Sequence, residues 1–267
     1  MAQKDEGNSR SEASGTQCIH RSFAVVRMLA SGASEGEKLV DIAARLNLSH
    51  PTAHRILKAL ESEGIVERAR GSRRYQIGAE AAWLGLAAYS RFPITRLATP
   101  TLDRLVEAIG DSVFLAVPSH NDSVYADRRF GAYPVQARRV AIGARRPLGV
   151  SVAGRAMLGF MKDERVEAVL RDNADRYGDW RCSEQQILSG AEEVRKQGFL
   201  CSDSLVNAER RVLAVPVRDV VGQPVAALSI IAARPRLGGE RMSRLVPLLR
   251  DAAREISAAV HRQTMVA

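Results

Sequence analysis

Between Ser49 and Lys58 the chain concentrates side chains that hydrogen-bond to base edges and phosphates: His50, Thr52, His54, Arg55 and Lys58. They alternate with Ala53, Ile56, Leu57 and Leu60, which recur at helical spacing, so an amphipathic helix would bury one set and expose the other. A helix presenting such a face by its N-terminal half suits the major groove. Arg55 fits bidentate reading of a guanine, Thr52 a thymine methyl or a phosphate, and Lys58 the backbone. Arg68, Arg70, Arg73 and Arg74 follow in a short hairpin, where they would reach phosphates or the adjacent minor groove. The alternative is a solvated face on an ordinary three-helix unit.

Other chemistry is weakly signalled. Residues 149–153 (GVSVA) approach the Gly-x-Ser-x-Gly elbow of hydrolases, with alanine at the last position. The one histidine after Ser151 is His261, near the end of the chain, so a small-molecule hydrolase with a helical accessory domain stays the runner-up. No phosphate loop, dinucleotide fingerprint or HExxH segment occurs. Cys18, Cys182 and Cys201 have no metal or disulfide spacing, so no metal, no cofactor and no enzymatic activity are expected. Gly149, Ser151 and Gly154 leave room for an anionic group at a helix start, and Arg145 and Arg146 just upstream have the chemistry to pair a carboxylate. Close helix-on-sheet packing accounts for the small residues equally well, and for each arginine a solvated position is the favoured reading.

The elements that must position these residues read as follows. Residues 1–17 hold no core-forming side chain beyond alanines and Met1, and are expected to be disordered. A first helix carries Ile19, Phe23, Val26 and Leu29, and a second Leu39, Ile42, Ala43 and Leu46. Asn47 and Leu48 make the turn. Ser49 caps the third helix, Pro51 occupies its first turn, and Gly64 closes it. Two short strands over 65–68 and 75–77 complete a winged helix-turn-helix. Residues 79–91 form a connecting helix that ends at Pro93. Beyond it, helices at 94–109, 151–161, 164–170, 183–197 and 240–261 mix with strands at 112–117, 123–127, 212–218 and 225–231, which is the order of an α+β domain. No apolar run is long enough to span a bilayer, and the default is a reduced, cytoplasmic protein.

At 267 residues, with 46% hydrophobic and 26% charged residues, the chain has the composition of a folded two-domain protein. A net charge of +9 points toward polyanions. Residues 1–80, however, hold 12 Lys/Arg against 10 Asp/Glu, so most of the excess lies elsewhere. DNA binding rests on where the basic residues sit, not on their sum.

Residues 21–26 (RSFAVV), 41–46 (DIAARL), 52–57 (TAHRIL) and 60–66 (LESEGIV) resemble the DNA-binding domain of IclR-type bacterial transcriptional regulators. The resemblance continues through 154–158 (GRAML), 197–199 (QGF), 214–217 (AVPV) with Asp219, and 226–230 (AALSI), covering about residues 19–260. It implies a GAF-like effector-binding domain after the winged helix-turn-helix. It further implies a small-metabolite effector, an organic acid if the anion reading of residues 145–154 holds, and a homodimer or dimer of dimers on a double-stranded operator. By position, the pocket would be lined by Leu148, Gly154, Ala156, Ser202 or Asp203, Val212, Ser229 and Ile231, with Ser151 beside them. Gly149, Val212 and Ile231 stand where some members carry polar side chains, so this pocket is expected to be less polar than some of theirs. The expected division is 1–18 leader, 19–78 winged helix-turn-helix, 79–92 linker helix and 93–267 effector-binding domain.

Overall fold

The computed structural model describes residues 6–32, 35–138 and 140–266. The chain divides into two compact units, Met1–Arg91 and Phe92–Ala267.

The first unit is built from α1 (Glu6–Ser31), β1 (Glu37–Lys38), α2 (Leu39–Arg45), α3 (His50–Ser62), β2 (Val66–Arg68), β3 (Arg74–Ile77) and α4 (Ala79–Ala88). Its core is small: Val25 and Leu29 of α1, Ile42 of α2, Ile56 and Leu57 of α3, Val66 and Tyr75. The buried stripe of α1 is therefore Val25 and Leu29, while Ile19 and Phe23, expected on that stripe, are exposed. Residues 1–5 of the expected disordered leader lie outside the described residues, and residues 6–18 depart from it by continuing α1. No proline interrupts that stretch, so the backbone ladder runs outward from the anchored half. The sheet has the order β1-β3-β2, and β1 is an element the sequence did not announce. It is two charged residues long and exists because Glu37 and Lys38 pair with Tyr75 and Arg74.

The second unit contains α5 (Ile94–Ile109), β4 (Ser112–Ser119), β5 (Asp122–Arg129), β6 (Arg145–Pro147), α6 (Val152–Leu158), α7 (Asp163–Tyr177), α8 (Glu184–Gln197), β7 (Leu200–Asp203), β8 (Arg210–Arg218), β9 (Pro224–Ala233) and α9 (Gly239–Val266). Six antiparallel strands form one sheet in the order β6-β5-β4-β9-β8-β7. Strand periodicity sorts its side chains into two layers. Val113, Leu115, Leu213, Val215, Leu228 and Ile230 face α5 and α9. Phe114, Ala116, Val212, Ala214, Ala227 and Ile231 face the layer that contains α6, α7 and α8. With both faces covered, β8 and β9 read as nearly unbroken apolar runs instead of alternating ones.

One buried carboxylate ties the layers together. Asp111, fully buried at the start of β4, accepts hydrogen bonds from Arg236 Nε (2.9 Å) and Nη2 (3.1 Å) and from Arg241 Nη2 (2.5 Å). Arg241 also donates to the Ile109 carbonyl at 3.0 Å, and Arg236 lies over the Tyr133 ring at 3.7 Å. Removing the carboxylate leaves two partly desolvated guanidinium groups without a counter-charge. Asp111→Ala is accordingly expected to cost about 3 kcal/mol of unfolding free energy. Denaturant titration of the full chain checks it, and a loss below about 1 kcal/mol would show that the clamp is dispensable.

Candidate DNA interface and effector cavity

In the first unit, Ser49 begins α3 as its N-cap: its side chain accepts from the Thr52 N–H at 3.4 Å and shares a hydrogen bond with the Thr52 hydroxyl at 2.8 Å. Pro51 sits in the first turn, and Gly64 follows the helix with φ +68°, a left-handed turn open to glycine at no steric cost. Ala53, Ile56 and Leu57 are buried, which fixes the rotation of the helix. His50, His54 and Lys58 are four residues apart and exposed, so they form one ridge along the solvent side, with exposed Arg55 beside it. Thr52 is half-buried. Among the described residues, none of these four basic side chains is engaged in an ion pair or side-chain hydrogen bond.

The hairpin splits its four arginines by task. Arg68 lies over the Tyr75 ring (5.2 Å), donates to Tyr75 Oη (3.0 Å) and pairs with Glu61 (3.4 Å). Arg74, expected at the DNA surface, is half-buried and donates to the Gly36 carbonyl at 3.0 Å, pinning the loop before β1. Its position opposite Lys38 in the β1–β3 ladder brings it there. Arg70 and Arg73 flank the turn at Gly71, are exposed, and have no partner among the described residues. The free charge of the wing is these two.

In the second unit, a cavity of about 560 Å³ opens on the α6 side of the sheet. Val212 and Ile231, paired across β8 and β9, line it together with Tyr125 of β5 and Arg146 of β6. Val150, Ser151 and Val152 contribute the start of α6. Gln136, Ala137, Arg138 and Val140 form one loop wall, and Ser204, Leu205, Val206, Asn207 and Arg210 another. No Asp or Glu is among these residues. The Gln136 wall is anchored, since Ser112 Oγ donates to Gln136 Oε1 (2.6 Å) and accepts from the Ala137 N–H (2.8 Å).

Val212 and Ile231, given by position, and Ser151, given by the small residues around it, are among the residues lining this cavity, and the other residues given by position are not. Leu148 is fully buried in the core, with its carbonyl accepting from Tyr177 Oη at 2.9 Å. Gly154 lies behind Ser151: its N–H donates to Ser151 Oγ, and a Cβ there would come within 2.9 Å of the Gly149 nitrogen. Ala156 is buried because α6 is covered on every side. Ser202 and Asp203 sit on the edge strand β7, where Asp203 is held by Arg211 (2.9 Å) and Arg234 (3.0 Å). Ser229 is fully buried, cross-strand from Phe114 and Ala214.

The two upstream arginines face different surroundings, as successive residues of a strand do. Arg145 donates to Asp122 Oδ2 and Ser119 Oγ, each at 3.0 Å, and is structural. Arg146 reaches the cavity, with its guanidinium 4.4 Å from the centre of the Trp180 ring. Burial draws its pKa below the ordinary arginine value, and burial pushes the Tyr125 phenol above its own. The sequence missed Tyr125, Gln136, Arg210 and the 204–207 loop because they are scattered along the chain and carry no spacing signal.

Ser151 Oγ accepts from the Gly154 N–H at 2.9 Å and shares a hydrogen bond with Ser123 Oγ at 3.1 Å. His261 belongs to α9, which packs on the opposite face of the sheet. The hydrolase arrangement therefore lacks its base: Ser151 is an N-cap.

Residues 19–70 match the IclR helix-turn-helix domain, and residues 86–258 match the bacterial transcriptional regulator IclR C-terminal domain. The chain is 31% identical to the glycerol operon regulatory protein of Streptomyces coelicolor, over 90% of this chain and 95% of that one. It is 28% identical to the transcriptional repressor AllR of Salmonella typhimurium, over 95% and 93%. Its fold is similar to that of an IclR transcriptional regulator from Alicyclobacillus acidocaldarius (TM-score 0.72, 23% identity, 91% and 98% covered). It is likewise similar to an IclR homolog from Microbacterium hydrocarbonoxydans in complex with 4-hydroxybenzoate (TM-score 0.67, 20% identity, 91% and 98% covered).

In place of Ser229, a leucine must fit between Phe114 and Ala214 in a closed core, so Ser229→Leu is expected to destabilise the second unit by about 1–3 kcal/mol through overpacking. Thermal unfolding measures it; unchanged stability would mean that the site opens onto free volume.

Proposed function

Because the chain belongs to the IclR family of bacterial transcriptional regulators, we propose that its α3 ridge and wing read a two-fold operator as a homodimer, or a dimer of dimers, in the cytoplasm, and that a small molecule in the 560 Å³ cavity alters operator affinity. The observation that carries this reading is the exposed ridge of His50, His54 and Lys58 with Arg55, all unpartnered on a helix whose opposite face is locked into the core. Arg55 is the base reader, Lys58 the backbone contact, and Arg70 and Arg73 the wing's phosphate contacts. The bound 4-hydroxybenzoate of the Microbacterium homolog supports a ligand role for the corresponding domain here. Linkage requires only that effector and operator favour different states of the protein.

The dimer has a surface suited to it. Helix α4 has no buried residue, and Trp83, Leu84 and Leu86 are 60%, 57% and 59% exposed. A helix apolar on every side is covered in the working assembly. A second copy is the partner a two-fold operator demands, since two recognition helices must lie about 34 Å apart.

Mobility-shift titrations on the DNA flanking the gene test the operator assignment. Arg55→Ala should lose about 1–3 kcal/mol of discrimination between operator and mutated operator. Arg73→Ala should weaken binding to all sequences and lower the slope of log K against log salt by about 0.9. Unchanged discrimination in the first variant removes Arg55 as the base reader. For assembly, Trp83→Glu should shift the protein to monomer in sedimentation velocity and lower operator affinity at least tenfold. A variant that sediments like the wild-type protein would exclude α4 from the dimer contact.

A further inference from the structure

We propose that the cavity is a receptor for an organic monocarboxylate with an apolar body, and that Arg146 is the residue that reads the effector's charge. The inference rests on the cavity being the effector site.

Three cations line the cavity, and two have other work. Arg210 donates to the Val135 carbonyl (3.4 Å) and the Gln136 carbonyl (3.3 Å), holding the loop wall. Arg138 is exposed, with its guanidinium near the Phe130 ring (5.1 Å). Arg146 is half-buried and has no counter-charge among the described residues, and unlike Arg210 it does not hold a loop wall. Its one described hydrogen bond runs from Nη1 to the Arg145 carbonyl (2.8 Å), and no carboxylate lies within ion-pair distance among the described residues. Trp180 stacks on one face of the guanidinium, which leaves the donor edge for a planar acceptor. A carboxylate fits that edge with two parallel hydrogen bonds.

Tyr125 lines the same cavity and is close enough for its phenol to feel the charge of Arg146. Burial keeps that phenol protonated, so it is a donor and not a competing anion. Beside the polar Gln136, Ser151, Ser204 and Asn207, one wall of the lining is apolar and suits the body of the ligand. Val140, Val150, Val152, Val212 and Ile231 offer no hydrogen bond through their side chains. A second carboxylate pressed against them would lose hydration without a partner. An ammonium group would find no acid anywhere in the lining.

Isothermal titration of the full chain with matched probes tests this: benzoate, phenylacetate and hexanoate, their three amides, adipate and hexylamine. The expected result is binding of at least one monocarboxylate at least tenfold tighter than its amide, and tighter than adipate or hexylamine. Arg146→Met should bring the acid down to the level of its amide while leaving amide binding in place, which also shows that the variant is folded. Arg146→Lys should keep part of the preference for the acid. An acid-to-amide ratio unchanged in Arg146→Met overturns the assignment of Arg146, as does a wild-type protein that prefers adipate, hexylamine or the amide. If no probe binds the wild-type protein, the cavity is not an effector site for such molecules, and the inference falls together with the reading beneath it.

Discussion

The buried carboxylate of Asp111 determines where four separate parts of the effector-binding unit meet. It sits between the end of α5 and the start of β4, and takes guanidinium groups from the segment after β9 and from α9. Through Arg236 it also reaches Tyr133, whose N–H donates to the Gly110 carbonyl at 2.9 Å. Three residues later, Gln136 is fastened to Ser112, the neighbour of Asp111, and Gln136 lines the cavity. One wall of the cavity is thus an extension of an electrostatic clamp that belongs to the fold. A buried ion pair is a poor source of net stability compared with apolar packing, but half of one is very costly. That asymmetry makes the arrangement hard to deform by small steps.

The same economy of charge explains why net charge is a poor guide to the nucleic-acid surface. Arg68 and Arg74 hold the hairpin to Tyr75, Glu61 and Gly36, so they build the wing they were expected to arm. Arg145 secures the β4–β5 turn region through Asp122 and Ser119. Arg55, Lys58, Arg70 and Arg73 differ from these in having no partner among the described residues. The +9 total counts all of them alike.

Legibility followed the range of the interactions. Helix α3 was readable because cap, proline, apolar stripe and closing glycine all lie within sixteen residues and all point to one outcome. Helix α5 was readable for its long amphipathic period. Strands β1, β6 and β7 were not, being two to four residues long and formed by pairing with distant partners. The cavity was the least legible feature. Arg145 and Arg146 look alike in the sequence, and only the pleat of β6 sends one to Asp122 and the other to the cavity. Of the residues that the resemblance named, Gly154, Ala156 and Ser229 are buried and do not line the cavity.

That distinction bears on how a small ligand can carry a regulatory signal. The effect on operator affinity is limited by the difference in ligand binding between the two functional states. Val212 and Ile231 lie on paired strands held between both layers of the core. The lining contacts outside those strands and outside the anchored Gln136 wall are Arg146 on the edge strand β6 and the loop at 204–207. A charge-assisted hydrogen bond contributes about 1.5–3 kcal/mol, which matches the usual size of an allosteric coupling, about 1–3 kcal/mol. One carboxylate pairing with one arginine in only one of the two states is therefore sufficient to move operator affinity by one to two orders of magnitude.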